Sequence, residues 1–420
     1  MNGPASRPRL LVLSHVLPFP GHSGQQQRVF YSLRALREFF HVTFVTVAAA
    51  DEASAVSTQL AAHCDDAVVL PARYSASHAA RLWHRVAAGL FCLRTGLKPS
   101  NYIIGRVEFA AARLAPVLDA GRFDCALFEY WHAHESIPEF RARSIPCVLD
   151  MHNVLWQSYA RDLNEHGRGP QCWRDRALRL YTQAEESAWN EFDGVIAINA
   201  GERDYTRSKV RAGLPVFFAP MGLDTQLWPR SWSPQNPPRL AYYGGLNSPH
   251  NAQSAQRCHD RIMPRVWKEF PDAELWLIGN QPPESLRALA QKDARVKVTG
   301  FVEHVQDVLS RVSVLLCPWT GTYGFRSRLI EAMSLGVPVV ASPDAVFGME
   351  LETGRGLFLA ENDDEFATHA LRLLREPGFA SEQSGLARAQ VDEHFSYEAS
   401  YVRLARELQE FAQRSRPASA

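Results

Sequence analysis

Short apolar runs alternate with longer amphipathic stretches along most of this chain. The first run, Arg9-Leu-Leu-Val-Leu-Ser14, is followed by a loop carrying Pro18, Pro20, Gly21 and Gly24. Residues 28–39 then place Val29, Leu33 and Leu36, with Phe40 just beyond, on one face at helical spacing. A β-rich run, Val42-Thr-Phe-Val-Thr-Val47, comes next. Apolar run, glycine loop, amphipathic stretch, apolar run is the pattern of a βαβ unit in a parallel sheet. The same rhythm predicts strands at 124–128, 146–150, 194–198 and 216–219, and a long helix over 173–192.

Residues 228–238 interrupt it. Pro229, Pro234, Pro237 and Pro238 crowd this stretch and mark a connection between domains. Beyond it the rhythm restarts, with strands at 239–243, 273–278, 296–299, 312–317 and 337–341 and helices at about 250–269, 284–292, 303–310 and 325–335. The expected fold is α/β: two doubly wound Rossmann-like domains facing across a cleft, the first over 1–225 and the second over 226–395. Residues 396–420 put Tyr397, Tyr401, Leu404, Leu408 and Phe411 on one helical face. A closing helix that packs back on the first domain would bury them.

Composition narrows the class. The 420 residues are 46% hydrophobic and 21% charged, which excludes a disordered chain, a collagen or a coiled coil. Forty-five basic residues balance 45 acidic ones, so no global charge draws the chain to nucleic acid. The seven cysteines form no close pair, as expected of a reduced, cytoplasmic protein. The N-terminal residues lack the apolar run of a secretory leader, and no stretch is apolar enough to span a bilayer. His132, His134 and Glu135 lie close in sequence but lack helical i, i+4 spacing and cysteine partners, so no metal site is expected there.

In open parallel sheets, ligands bind at the carboxyl ends of the strands. The richest such segment follows Cys317-Pro318. Gly321 and Gly324 allow close backbone approach, and a helix beginning just after them offers free amides to an anion. Arg326 and Arg328 add two cations, and Glu331 can accept two vicinal ribose hydroxyls. A diphosphate held without metal needs such a set. Charge tuning of a helix terminus, with surface arginines, fits the same residues.

The stretch Gly321-Thr-Tyr-Gly-Phe-Arg-Ser-Arg-Leu-Ile-Glu-Ala-Met-Ser-Leu-Gly-Val-Pro-Val-Val-Ala-Ser resembles the signature of the retaining group 1 glycosyltransferases with the GT-B fold. Other segments resemble that family in the expected order. They are Gly21-His-Ser-Gly24, Asp150-Met-His-Asn153, Pro220-Met-Gly-Leu-Asp224 with Trp228-Pro229, Leu275-Trp-Leu-Ile-Gly-Asn280, Val298-Thr-Gly-Phe-Val302 and Phe395-Ser-Tyr-Glu398.

The resemblance implies a nucleotide-sugar donor bound mainly by the second domain, with no cofactor and no metal. Glu331 would hold the ribose, Arg326 and Arg328 the diphosphate, and backbone groups near Phe301 and Val302 the base. Gly24 would meet the phosphates from the first domain. Gly244, Tyr323 and Gly324 would line the donor site, and His152 would contact the transferred sugar. Two departures stand out. The family's first glutamate is Tyr323 here, and its Gly-Arg after the first strand of the second domain is Gly244-Gly245. The implied activity is retaining transfer to a hydroxyl in surface polysaccharide or glycolipid synthesis. The competing reading is a catalytically degenerate partner or sugar-nucleotide-binding subunit. A dinucleotide oxidoreductase fits less well, because no strand is followed by G-x-G-x-x-G.

The acceptor would be a carbohydrate or a lipid-linked sugar. Residues 73–113 carry seven Lys/Arg and one acid, Glu108. A helix over 78–93 would place Leu82, Val86, Leu90 and Leu93 on one side and Arg81 and Arg85 on the other. Packing its apolar side into the core is the favoured expectation. Peripheral contact with the inner membrane face is the alternative. Tyr130, Trp131 and Trp156 could serve as sugar platforms or as core aromatics.

Overall fold

The computed structural model describes residues 7–21, 23–167, 169–321 and 325–415. The chain divides into two compact units, Met1–Pro220 with Tyr401–Ala420, and Met221–Ser400. These boundaries fall a few residues from those expected at 225/226 and 395/396. The proline-rich stretch is not a free connection, because it lies inside the second unit. The Ser231 and Trp232 amides both donate to Leu335 O, at 3.1 and 3.0 Å, and Trp232 Nε1 donates to Val312 O at 2.7 Å. Its backbone is extended but pinned.

The first unit is built on seven parallel strands: β1 (Arg9–Leu13), β2 (His41–Ala48), β3 (Asp66–Pro71), β4 (Cys125–Glu129), β5 (Cys147–Asp150), β6 (Gly194–Ala197) and β7 (Val216–Phe218). Their order is β3-β2-β1-β4-β5-β6-β7, so the winding reverses between β1 and β4. The β1, β4, β5 and β6 side chains are almost all buried, as a parallel sheet covered on both faces requires. β3 escapes the sequence pattern because it is a half-buried edge strand.

Helix α1 (Gly24–Phe39) follows β1, and the Ser23 hydroxyl caps it by accepting from Gln26 N. The closing helix Arg403–Arg414 packs on this unit. Leu404 and Leu408 are buried, Phe411 meets Phe217 edge-on at 5.8 Å, and Gln409 donates to Phe39 O.

The second unit has six parallel strands: β8 (Arg239–Tyr243), β9 (Glu274–Ile278), β10 (Val296–Gly300), β11 (Val314–Cys317), β12 (Val339–Ala341) and β13 (Leu357–Leu359). Their order is β10-β9-β8-β11-β12-β13, with the reversal between β8 and β11. The helix Ser327–Leu335 joins β11 to β12 and ends at Gly336, whose φ of 88° is left-handed.

The helix His78–Thr95 overturns the favoured expectation for its apolar side. Leu82, Trp83, Val86, Leu90 and Leu93 are between 53% and 81% exposed. Ala88 and Phe91 are the residues it buries, and His84 and Phe91 both lie against Tyr102. The small, flat stripe packs inward, and the branched aliphatic stripe is left facing solvent. Two cations counted from sequence are also spoken for. Arg113 is buried against Glu108 at 2.8 Å, and Arg106 pairs with Glu135 at 2.7 Å. Among the described residues, no helix is long and apolar enough to cross a membrane.

Candidate functional site

Each sheet gathers polar residues at the carboxyl ends of its strands near the reversal point. In the second unit, β8 ends at Tyr243 and runs into Gly244-Gly245. The Tyr243 hydroxyl donates to Glu331 Oε2 at 2.8 Å, and the Arg328 guanidinium lies 5.5 Å from the centre of the Tyr243 ring. Burial pushes the Glu331 carboxyl up, opposed by Tyr243, Arg328 and Ser327. Glu331 therefore sits in the second turn of its helix, partly shielded and hydrogen-bonded, beside a fixed cation.

A methyl group added at Gly245 would lie 3.1 Å from Asn247 Oδ1 and 3.6 Å from both Arg328 Nη2 and Asn280 Oδ1. Three polar side chains thus converge over bare backbone. Gly279 is required for a different reason, since a Cβ there would meet Gly244 O at 1.7 Å. The strand ends could not approach so closely with any other residue.

Among the described residues, helix Ser327–Leu335 has no side-chain cap and no acid in its first turn, and its Leu329 amide donates to Arg326 O, so the remaining end amides suit an anion. It starts two residues later than the periodicity indicates. Arg326 is its N-cap, donates to Gly321 O at 2.9 Å and lies 5.4 Å over Trp319. The Gly321 amide in turn donates to Asp344 at 2.8 Å. Arg328 points to the glycine pair, whereas Arg326 turns back to Gly321. Phe301 is exposed and Val302 half-buried, immediately beyond β10. Tyr323 and Gly324 lie outside the described residues.

In the first unit, His152 follows β5 with a φ of 56° and is buried. Its Nε2 is hydrogen-bonded to Glu129 Oε2, at the end of β4. The sheet register creates this pairing by setting Glu129 directly beside Asp150. Asp150 receives Arg28 through both carboxylate oxygens, with Nε–Oδ2 and Nη2–Oδ1 at 2.9 Å, while Arg28 Nη1 donates to Ala219 O. Glu129, Asp150 and His152 bring ligand-type atoms within 4.8 Å of one another. Arg28 already engages both Asp150 oxygens.

Tyr130 stacks on His152 with 4.4 Å between ring centres. His15 and His132 stand 5.3 and 5.7 Å from the same tyrosine. Burial and the nearby His152 bring the His15 imidazole down to about 4, and burial with its neighbouring bases brings His132 down to about 3. Both are neutral at pH 7. Burial raises the Glu129 carboxyl, opposed by His152 and Arg28.

Of the aromatics considered as platforms, Trp131 is core, Tyr130 backs His152, and Trp156 packs near Tyr205. His134 turns to Glu191 at 3.1 Å, away from His132. Gly24 is the exposed first residue of α1.

The whole chain resembles known structures in fold. The Anabaena protein HepE, solved in complex with UDP, matches with a TM-score of 0.63 at 16% identity over 96% of this chain and 100% of its own. A sucrose-phosphate synthase from Thermosynechococcus elongatus matches at 0.62 and 16% over 97% and 100%. A phosphatidyl-myo-inositol mannosyltransferase from Propionibacterium freudenreichii is 24% identical over 310 residues, 67% of this chain and 74% of its own. Residues 237–376 match the family model "Glycosyl transferases group 1". The chain thus has the GT-B fold, and its second unit carries the stretch that matches group 1 glycosyltransferases.

Sequence reading of this chain did not single out Arg28, Glu129, Tyr243, Asn247 and Asn280 as candidate site residues. Tyr243 and Gly244 adjoin in sequence, and a strand ending in a polar aromatic beside a glycine pair was the available signal. Glu129 gave none, since its partner depends on which strands are neighbours.

Proposed function

We propose that this protein is a glycosyltransferase that moves a sugar from a nucleotide-sugar to a hydroxyl of a lipid-linked or carbohydrate acceptor, with retention and without a metal. One observation carries the donor half: Glu331, Tyr243 and Arg328 grouped over Gly244-Gly245 at the reversal point of the second sheet. Glu331 takes the ribose hydroxyls, and Arg328 with the uncapped helix amides takes the diphosphate. Arg326 ties the start of the helix to Gly321. The base lies toward Phe301 and Val302. Crystallisation of HepE with UDP makes a uridine nucleotide the first to try.

In this reading the protein supplies no strong nucleophile. A phosphate oxygen of the donor takes the acceptor proton on the same face, while the protein positions the reactants and stabilises the leaving diphosphate. His152 serves the transferred sugar, and Gly24 meets the phosphates.

The acceptor half rests on the helix His78–Thr95. Its exposed stripe of Leu82, Trp83, Val86, Leu90 and Leu93 is flanked by Arg81 and Arg85 on one side and Arg94 on the other. A groove of about 630 Å³ beside it is lined by Trp83, Val86, Leu90, Phe91, Arg94 and Arg106. Apolar residues edged by cations match the surface of an anionic bilayer, so this helix docks there and brings a lipid-linked acceptor within reach. The mannosyltransferase relative, whose name specifies a phosphatidyl-myo-inositol acceptor, fits the same reading.

Calorimetric titration with UDP, GDP and ADP in EDTA tests the donor half. One nucleotide should bind the wild type without metal and bind Glu331→Ala at least tenfold more weakly. Failure of all three to bind would remove the donor assignment. Binding with neither transfer nor hydrolysis of any nucleotide-sugar would favour a degenerate partner subunit.

A further inference from the structure

We propose that Glu129 is the positioning residue of His152, and that the two groups act as a single proton-holding pair that sets whether His152 Nδ1 accepts or donates a hydrogen bond. This deepens the reading above, in which His152 serves the transferred sugar.

The geometry is specific. Nε2 faces inward to Glu129 Oε2, while Nδ1 makes no hydrogen bond among the described residues and is not a buried orphan atom. Tyr130 stacked on one face fixes the ring plane, and the Asp150 carboxylate, 3.4 Å from the His152 amide, helps hold the backbone. One ring nitrogen is therefore committed to the protein and the other is left for a ligand.

Proton counting gives the consequence. With a single proton on the pair, it sits on Nε2 against an ionised Glu129, and Nδ1 presents a lone pair. A second proton lands on Nδ1, wherever the inner proton then lies between Nε2 and Oε2. Nδ1 has then become a donor. The active form is the first, in which Nδ1 accepts from a sugar hydroxyl.

The surroundings leave Glu129 as the group that governs the imidazole. Arg28 and Asp150 neutralise each other beside the pair. Tyr401 acts on Arg28 from the closing segment. His15 and His132 are neutral, so neither repels a protonated His152 nor competes for Glu129. Glu129 is thus the full charge left facing the imidazole. The Glu129 Oε1, Tyr130 hydroxyl, His15 Nδ1 and His132 Nδ1 atoms are all buried without partners. Neutral Tyr130, His15 and His132 beside a carboxylate oxygen suit the hydroxyls of a neutral sugar better than an anion.

The test uses the full-length protein labelled with ¹⁵N-histidine, with His152 assigned by comparison with His152→Gln. Ring-nitrogen NMR should show the proton on Nε2 at pH 8 and added to Nδ1 on acidification. Glu129→Gln, which keeps a carbonyl acceptor but loses the charge, should move that titration at least one pH unit lower. In turnover, Glu129→Gln should lower kcat tenfold or more with little change in donor KM and should move the acid limb of the kcat profile the same way. Glu129→Asp should recover part of the rate. An Nδ1–H tautomer at pH 8, or a titration unmoved in Glu129→Gln, overturns the proposal even if nucleotide binds and sugar is transferred. If the NMR behaves as expected but no nucleotide binds, the donor reading fails and the pair stands.

Discussion

Arg28 and Asp150 lie 122 residues apart in sequence and meet as a forked ion pair with both side chains 1% exposed. The pair ties α1 to the end of β5, two residues before His152. A buried charge stripped of its partner costs far more than the intact pair contributes. Asp150→Ala should therefore destabilise the first unit by about 3–5 kcal/mol, whereas the double change Arg28→Met, Asp150→Leu should cost much less. Urea denaturation of the three proteins measures both. Equal losses in the single and double variants would show that the charge is not the issue.

Glu185 gives a pH dependence that can be isolated. Burial pushes its carboxyl up from 4.5 to about 8, although the Leu155 and Trp156 amides donate to it. A raised folded-state value means that stability is fully present below pH 4.5 and is lost as pH rises through 8. The slope in that window is at most about 1.4 kcal/mol per pH unit. Glu185→Gln should flatten it, so denaturant midpoints of wild type and variant should diverge between pH 5 and 8. Parallel midpoints would mean that the group ionises without penalty.

The two arginines of the donor site should separate by kinetics. Arg328→Ala should lower kcat by about 10²–10³, the scale of one lost charged contact to a developing anion. Arg326→Ala should fall on the same scale but also weaken nucleotide binding, because the contact that ties the helix start to Gly321 O goes with it. Wild-type rates in both variants would remove the diphosphate assignment.

Membrane docking is checked by sedimentation with vesicles. Wild type should pellet with vesicles rich in phosphatidylglycerol and not with neutral ones. Leu90→Glu, or Arg81→Glu with Arg85→Glu, should abolish this while leaving nucleotide binding intact. These positions are exposed, so their folding cost should be small. Equal binding of wild type and variants would exclude this helix as the contact.

Both sheets were legible in the sequence because parallel strands buried on two faces read as uninterrupted apolar runs. The exceptions follow the same physics. β3 is a half-buried edge, and β13 is only three residues long. Gly244, Arg328 and Glu331 were legible as a site because they fall within a few residues of two strand ends. Glu129 was not, since its link to His152 depends on β4 and β5 being neighbours, which no local pattern encodes. The helix His78–Thr95 misled for a subtler reason. Periodicity reveals that a helix has an apolar side, but alanine and phenylalanine can win the core while larger aliphatics are left out.

The segment that forms the second sheet has both its ends side by side. Leu223 pairs with Ser396 as a parallel bridge, its amide donating to Phe395 O at 2.7 Å and its carbonyl accepting from Tyr397 at 2.9 Å. On the other side of the break, Arg403 reaches Phe218 O at 3.1 Å. Topologically, residues 221–400 are a cassette spliced into a host whose own cut ends already adjoin. A gene for the cassette alone keeps the Leu223–Ser396 pairing of its ends, and one for the host closed by a short glycine linker between 220 and 401 keeps the Arg403–Phe218 contact. On the proposed donor reading, swapping this one continuous stretch of DNA between such chains should exchange nucleotide specificity.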